Sequence, residues 1–161
     1  MTGLAPSKLV PDLCLLRYRI STTSPKCQAY FDQGLGYFYS YVWMEAARSF
    51  ETALQYDPEC PMAWWGLSRA LERWGKGNQT EALLKASKLQ ARASHREQQL
   101  ILASMQEKGH APDAGDEESR KRRAITNIMP GATVRISWKH GASLPCKPDA
   151  RRSPRRRSWK L

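Results

Sequence analysis

Residues 27–60 read CQAYFDQGLGYFYSYVWMEAARSFETALQYDPEC. The stretch predicts two helices, at about 25–41 and about 44–56. The first opens at Ser24-Pro25. A serine there accepts a free backbone N–H, and proline at the first helical position lacks only an N–H that would be unpaired anyway. The second carries Ala46, Ala47, Phe50, Ala53 and Leu54 at i, i+3, i+4 spacing. Asp57-Pro58-Glu59-Cys60-Pro61 then reverses the chain, because a residue before proline is pushed away from helical angles. Gly34 and Ala46 are small, so the two helices can approach to the short end of the ~8–10 Å range. Tyr37 and Phe50 fill the space beside that contact, and Ala53 leaves room for the next helix. The first helix also holds Tyr30, Phe31, Phe38, Tyr39 and Tyr41. These are more aromatics than one stripe accommodates, so both sides must be covered or one must be sticky.

Outward from this stretch the helical pattern continues. A third helix is expected at about 61–75, with Trp64, Trp65, Leu67, Leu71 and Trp74, ending at Gly75-Lys76-Gly77-Asn78. A fourth, about 79–93, presents Ala82, Leu83, Ala86, Leu89 and Ala93. Asn78-Gln79-Thr80 matches a glycosylation sequon, but asparagine before a helix is read as its cap. Ser94 and Glu97 have the spacing of a capping box, each satisfying the other's free N–H, and open a fifth helix at about 95–108. After a polar loop, Gly109 to Asp116, a sixth runs from about 117 to 128 and stops before Pro130-Gly131. Residues 1–23, with Pro6 and Pro11, read as an irregular lead-in. The organisation is therefore a lead-in (1–23), a helical domain (24–129) and a basic tail (130–161).

Tyr30 and Trp64 lie 34 positions apart, and Glu45-Ala46 and Glu81-Ala82 open the second and fourth helices. A 34-residue helix–turn–helix period resembles the tetratricopeptide repeat. From Cys27 to Cys60 the signature falls on Tyr30, Gly34, Tyr37, Ala46, Phe50, Ala53 and Pro58, with Gln33 where a leucine is expected. In the second unit Trp64, Leu67 and Ala82 are on pattern, Ser68 replaces the glycine, and two extra residues near Lys76 to Gln79 are needed. The stretches around Ser21 to Leu35 and Asp57 to Gly66 look like one bacterial group of such proteins. The resemblance covers about 27–108. It implies an all-α fold of two to three helical hairpins stacked as a short solenoid, in which each unit buries its apolar face only against a neighbour.

The resemblance also implies a non-catalytic scaffold that binds a peptide or protein on its concave face. Carried onto this chain, that face holds Phe31, Leu35, Phe38 and Trp65, with Arg69 and Arg73 on one rim; Gln28, Tyr39, Met62 and Glu72 also fall on groove positions. The subgroup that grips a C-terminal carboxylate uses Lys and Asn where Phe31 and Leu35 stand, so that mode is contradicted. Two readings of the aromatics remain open: they line an accessible groove, or they are covered by residues 1–23 or by the fifth helix.

Charge separates the tail from the rest. The chain has 161 residues, 26 Lys/Arg and 15 Asp/Glu. Residues 1–119 hold 13 basic and 14 acidic residues, a net −1, whereas residues 120–161 hold 13 basic residues and Asp149 alone, a net +12. Arg151-Arg152-Ser153-Pro154-Arg155-Arg156-Arg157 could bind phosphates in a salt-dependent, sequence-blind way, so nucleic acid or an anionic surface is the alternative partner, ranked well below a protein. The apolar period fails after Met129, as it would in a shifted reading frame or a truncated gene. The tail is expected to have no fixed structure.

Cys14, Cys27, Cys60 and Cys146 form no CxxC pair, and His95, His110 and His140 are scattered. The spacing therefore offers no metal or cofactor site, and the cysteines read as reduced, partly buried thiols. No Ser/His/Asp, Cys/His or paired-carboxylate arrangement points to catalysis. No apolar run approaches the ~18–20 residues of a membrane span, and no signal-peptide layout opens the chain, so a cytoplasmic protein is expected.

Overall fold

The computed structural model describes residues 1–11, 13, 16–111 and 116–128, the last three as backbone only. The basic tail expected at 130–161 lies outside the described residues. Among the described residues the chain is all-helical. Its helices are α1 (Pro25–Tyr39), α2 (Trp43–Tyr56), α3 (Pro61–Trp74), α4 (Gln79–Lys88), α5 (His95–Glu107) and α6 (Glu117–Ile128). Each packs on the next in the chain, and α1 and α5 also touch α3. None is long and apolar enough to cross a membrane.

The expected caps form. Ser24 accepts the Cys27 N–H at 3.2 Å, the Asn78 side-chain oxygen accepts the Glu81 N–H at 3.0 Å, and Ser94 and Glu97 complete their capping box. Two boundaries differ from expectation. The fourth helix stops at Lys88, not 93, and its end tightens into a 3₁₀ turn, Gln90–Arg92. Ala93 must leave in extended conformation to present Ser94 as the cap of α5, and the tighter turn lets it. The first helix stops at Tyr39, not 41. The Val42 N–H donates to the Tyr37 carbonyl at 2.9 Å and the Tyr41 N–H to Phe38 at 3.2 Å, with Tyr41 at φ 63°. This is a Schellman termination with tyrosine in the position glycine usually takes. Helix α5 ends the same way, with the His110 N–H on the Met105 carbonyl, but there Gly109 supplies the positive φ.

The core is centred on Phe50 of α2, which is almost wholly buried. A Cβ added to Gly34 of α1 would lie 2.6 Å from its ring, and one added to Gly66 of α3 would lie 2.7 Å from the same ring. Phe31 packs on it with ring centroids 5.5 Å apart. Ala46, Ala53, Ala63, Ala70 and Ala86 are buried at the other helix contacts. Tyr30 stacks on Tyr56 at 5.6 Å, and Lys85 lies over the Trp64 ring at 4.5 Å. Tyr37 is half-buried against the core, Ala82 is buried, and the Pro58 carbonyl accepts the Trp64 indole N–H at 2.8 Å.

Gly34→Ala forces a methyl into the Phe50 ring and should cost about 1–3 kcal/mol, the usual price of overpacking. Urea unfolding of Gly34→Ala, Phe50→Leu and the double variant should show the double change costing less than the sum. An unaltered midpoint for Gly34→Ala would refute the packing. Tyr41→Gly relieves about 1–2 kcal/mol of left-handed strain but loses a ring contact with Trp43 worth about 0.5–1.5 kcal/mol and a glycine entropy of similar size. Its net effect should stay within about 1 kcal/mol; a much larger loss would mean the fold needs this side chain.

Candidate functional site

The groove residues anticipated from the sequence do not form one open trough. Phe31 is 0% exposed, wedged between Phe50 and Tyr18 of the lead-in. Leu35 is buried as well. Phe38 is half-buried at the end of α1, edge-on to Tyr39 and Trp43. Trp65 is half-buried, and its indole N–H donates to Ser104 of α5 at 2.8 Å. Arg69 pairs with Glu107 of α5 at 3.2 Å and Glu72 at 3.6 Å, while Lys108 closes on Glu72. Arg73, in the last turn of α3, stays exposed, as does Tyr39. Of the two readings of the aromatics, the covered one holds for Phe31 and Leu35.

What covers Phe31 is the lead-in. It forms neither helix nor strand among its described residues, yet it is tied down along its length. The side chain of Gln28 in α1 accepts the Ile20 N–H at 3.0 Å and donates to the Tyr18 carbonyl at 2.8 Å. Asp32, one turn further, accepts the Tyr18 N–H at 3.1 Å and the Gln28 amide at 3.0 Å. Burial pushes the Asp32 carboxyl above its ordinary range, and these two donors pull it partly back. Gln33 repeats the arrangement nearer the N-terminus. Its oxygen accepts the Val10 N–H at 2.8 Å, and its nitrogen donates to the Lys8 carbonyl at 3.0 Å, to Ser7 at 2.9 Å and to Ser49 at 3.2 Å. On α2, Thr52 accepts the Ser7 N–H at 2.8 Å, and Glu51 accepts the backbone and hydroxyl of Thr2.

The same segment reaches α5. Ser21 donates its N–H at 2.8 Å, and also its hydroxyl, to Glu97, the buried capping residue of that helix. Arg96 lies over the Tyr18 ring at 5.2 Å. A cleft of about 740 Å³ remains between the lead-in and α1, bordered by Val10, Arg17, Arg19, Thr23, Gln28 and Asp32. Gln28, Asp32 and Gln33 of α1 and Glu97 of α5 thus hold the irregular lead-in by its main-chain groups, with Tyr18 and Ile20 as apolar anchors.

Sequence reasoning missed this polar set. Gln28 stood among the groove positions, but Asp32 and Glu97 carried no such signal beyond helix solubility and capping. Gln33 carried one: a polar residue where the repeat pattern asks for leucine.

A second feature escaped the spacing arguments. Cys27 and Cys60, 33 positions apart, meet in the core at 0% and 1% exposure, next to Asp57. The hydrogen bond from Cys60 holds the Cys27 thiol below its ordinary range; the same bond, helped by burial, pushes Cys60 up.

A second cluster of exposed aromatics lies at the α1–α2 turn. Tyr41 is 79% exposed and Tyr39 64% exposed, with Trp43 between Tyr41 and Phe38. No family model, curated protein or solved structure matches the chain.

Gln33→Leu restores the repeat pattern but strips partners from Ser7, Ser49 and Val10. In the full chain it should cost about 1–3 kcal/mol, the price of leaving buried polar groups unpaired. In a chain also lacking residues 1–10, the same change should be neutral or stabilising. The same sign in both backgrounds would show that Gln33 does not act through the lead-in.

Proposed function

We propose that the chain is a non-catalytic protein-interaction module of the tetratricopeptide-like kind, which takes an extended segment of a partner on the concave face of a short helical solenoid. One observation carries this reading: Gln28 and Gln33 each use one carboxamide to bond both an N–H and a C=O of the same irregular segment. A side-chain amide is a copy of the peptide group, so such a clamp reads main chain and tolerates any side chain. The pockets that receive alternate side chains then supply selectivity. Here Tyr18 fills one, between Phe31 and Arg96.

On this reading the lead-in stands where a partner segment would stand. A tethered segment acts at an effective concentration in the millimolar range, so a partner must outbid it or draw it away. The exposed Tyr39 and Tyr41, with half-buried Trp43, add a contact surface beside the groove. Tyrosine held in a glycine conformation, with no gain to the fold, favours a role for that surface in contact.

The test is binding in trans. A labelled peptide of residues 1–23 should bind saturably to the chain lacking those residues, once far-UV circular dichroism shows that its helices persist. Gln28→Ala should weaken that binding about tenfold, as loss of two hydrogen bonds predicts. In the full chain the same change should speed amide exchange at Tyr18 and Ile20 while leaving helix amides unaltered. A folded fragment that ignores the peptide, or exchange at Tyr18 and Ile20 that is unmoved by Gln28→Ala, would sink the clamp.

A further inference from the structure

Three helix ends converge on Cys27, Asp57 and Cys60. Cys27 is the third residue of α1, Cys60 immediately precedes α3, and Asp57 immediately follows α2. One ligand atom from each lies within 4.8 Å of the other two. We propose that these residues form a binding site for a thiophilic divalent cation of the zinc class, held by the two cysteine sulfurs and the Asp57 carboxylate.

Tetrahedral zinc has bonds of about 2.3 Å to sulfur and about 2.0–2.2 Å to carboxylate oxygen, which places its ligand atoms roughly 3.5–3.8 Å apart. Contraction from within 4.8 Å to that spacing needs shifts of about 1 Å, within the reach of side-chain rotation. Thr22 supplies what such sites have around them. Its hydroxyl donates to Asp57 Oδ2 at 2.5 Å. An outer partner of this kind orients a carboxylate ligand, and a water completes the fourth position.

Charge is balanced as well. Two thiolates and a carboxylate around a divalent cation leave one net negative charge, and the two cysteine protons leave to solvent. The N-termini of α1 and α3, each carrying roughly half a positive charge, face that excess. Among the described residues no ion pair engages Asp57. A disulfide would use the two sulfurs but would leave Asp57 and Thr22 without purpose. Two sulfurs in three ligands select against magnesium and calcium.

The site would fasten the end of the first helical pair to the start of the second, and through Thr22 it would also fasten the lead-in. Full-length protein carrying Cys14→Ser and Cys146→Ser, reduced with a phosphine and freed of metal, is titrated with cobalt(II) and then zinc(II). One equivalent of cobalt should bring a sulfur-to-cobalt charge-transfer band and tetrahedral visible bands, which zinc should bleach. Zinc should also raise the melting temperature. Cys27→Ser or Cys60→Ser should abolish the charge-transfer band or shrink it by half. Asp57→Asn, which keeps both thiols, should weaken cobalt about tenfold to a hundredfold. The proposal is overturned by reduced, folded protein that takes up no cobalt, by a band unchanged in both serine variants, or by cobalt affinity indifferent to Asp57→Asn. It is equally overturned if mass spectrometry finds a Cys27–Cys60 disulfide and the reduced form binds no metal.

Discussion

The ring of Phe50 is gripped from two sides by positions that admit no side chain. Gly34 and Gly66 lie on different helices, and each stands close enough that a single methyl would collide with the ring. This places α1, α2 and α3 in fixed mutual positions through one side chain. The surrounding alanines follow from the same requirement, because helices drawn together around one ring leave little room at their other crossings. Packing of this kind fixes geometry more than it adds energy. A larger ring or an added methyl cannot be absorbed, since a close-packed interior gives way only by moving whole helices.

The pair α1 and α2 packs against α3, and its other side is covered by the chain's own lead-in, attached by polar contacts. Gln33, Ser49, Glu51 and Thr52 are buried polar residues on the outer side of α1 and α2, and each is satisfied by groups from residues 1–10 or from its own helix pair. An apolar cover would hold more tightly but would leave a sticky face whenever it detached. The polar part of the cover, residues 1–10, can leave and rejoin without that hazard, because water replaces each hydrogen bond at small net cost.

The helices and their caps were legible in the sequence because they depend on neighbours in the chain. Ser24, Asn78 and Ser94 each act within three residues of themselves, and the 34-residue period revealed which small residues meet. Gly66 was missed as a contact because the pattern places the second unit's glycine at residue 68, where serine stands. The ring it touches belongs to the preceding unit. The lead-in was illegible for a similar reason. Nothing local distinguishes a free irregular segment from one clamped by Gln28 and Glu97, since the partners lie 8 and 76 positions away. The same holds for Cys27 and Cys60. Spacing rules look for ligands on one turn or one loop, whereas here an antiparallel helix pair brings the start of α1 beside the start of α3.

Thr22 ties these strands of the structure into one junction. It belongs to the lead-in, its hydroxyl engages Asp57 after α2, and its neighbour Ser21 engages Glu97 of α5. Displacing the lead-in from the face of α1 therefore also removes a hydrogen bond from the carboxylate beside the two thiols, and one from the cap of α5. The two events share residues, so their free energies cannot be independent. Anything that orders the Cys27–Asp57–Cys60 group holds Thr22 in place and makes the lead-in harder to displace. By linkage, anything that takes the place of the lead-in weakens the order at that group by the same factor.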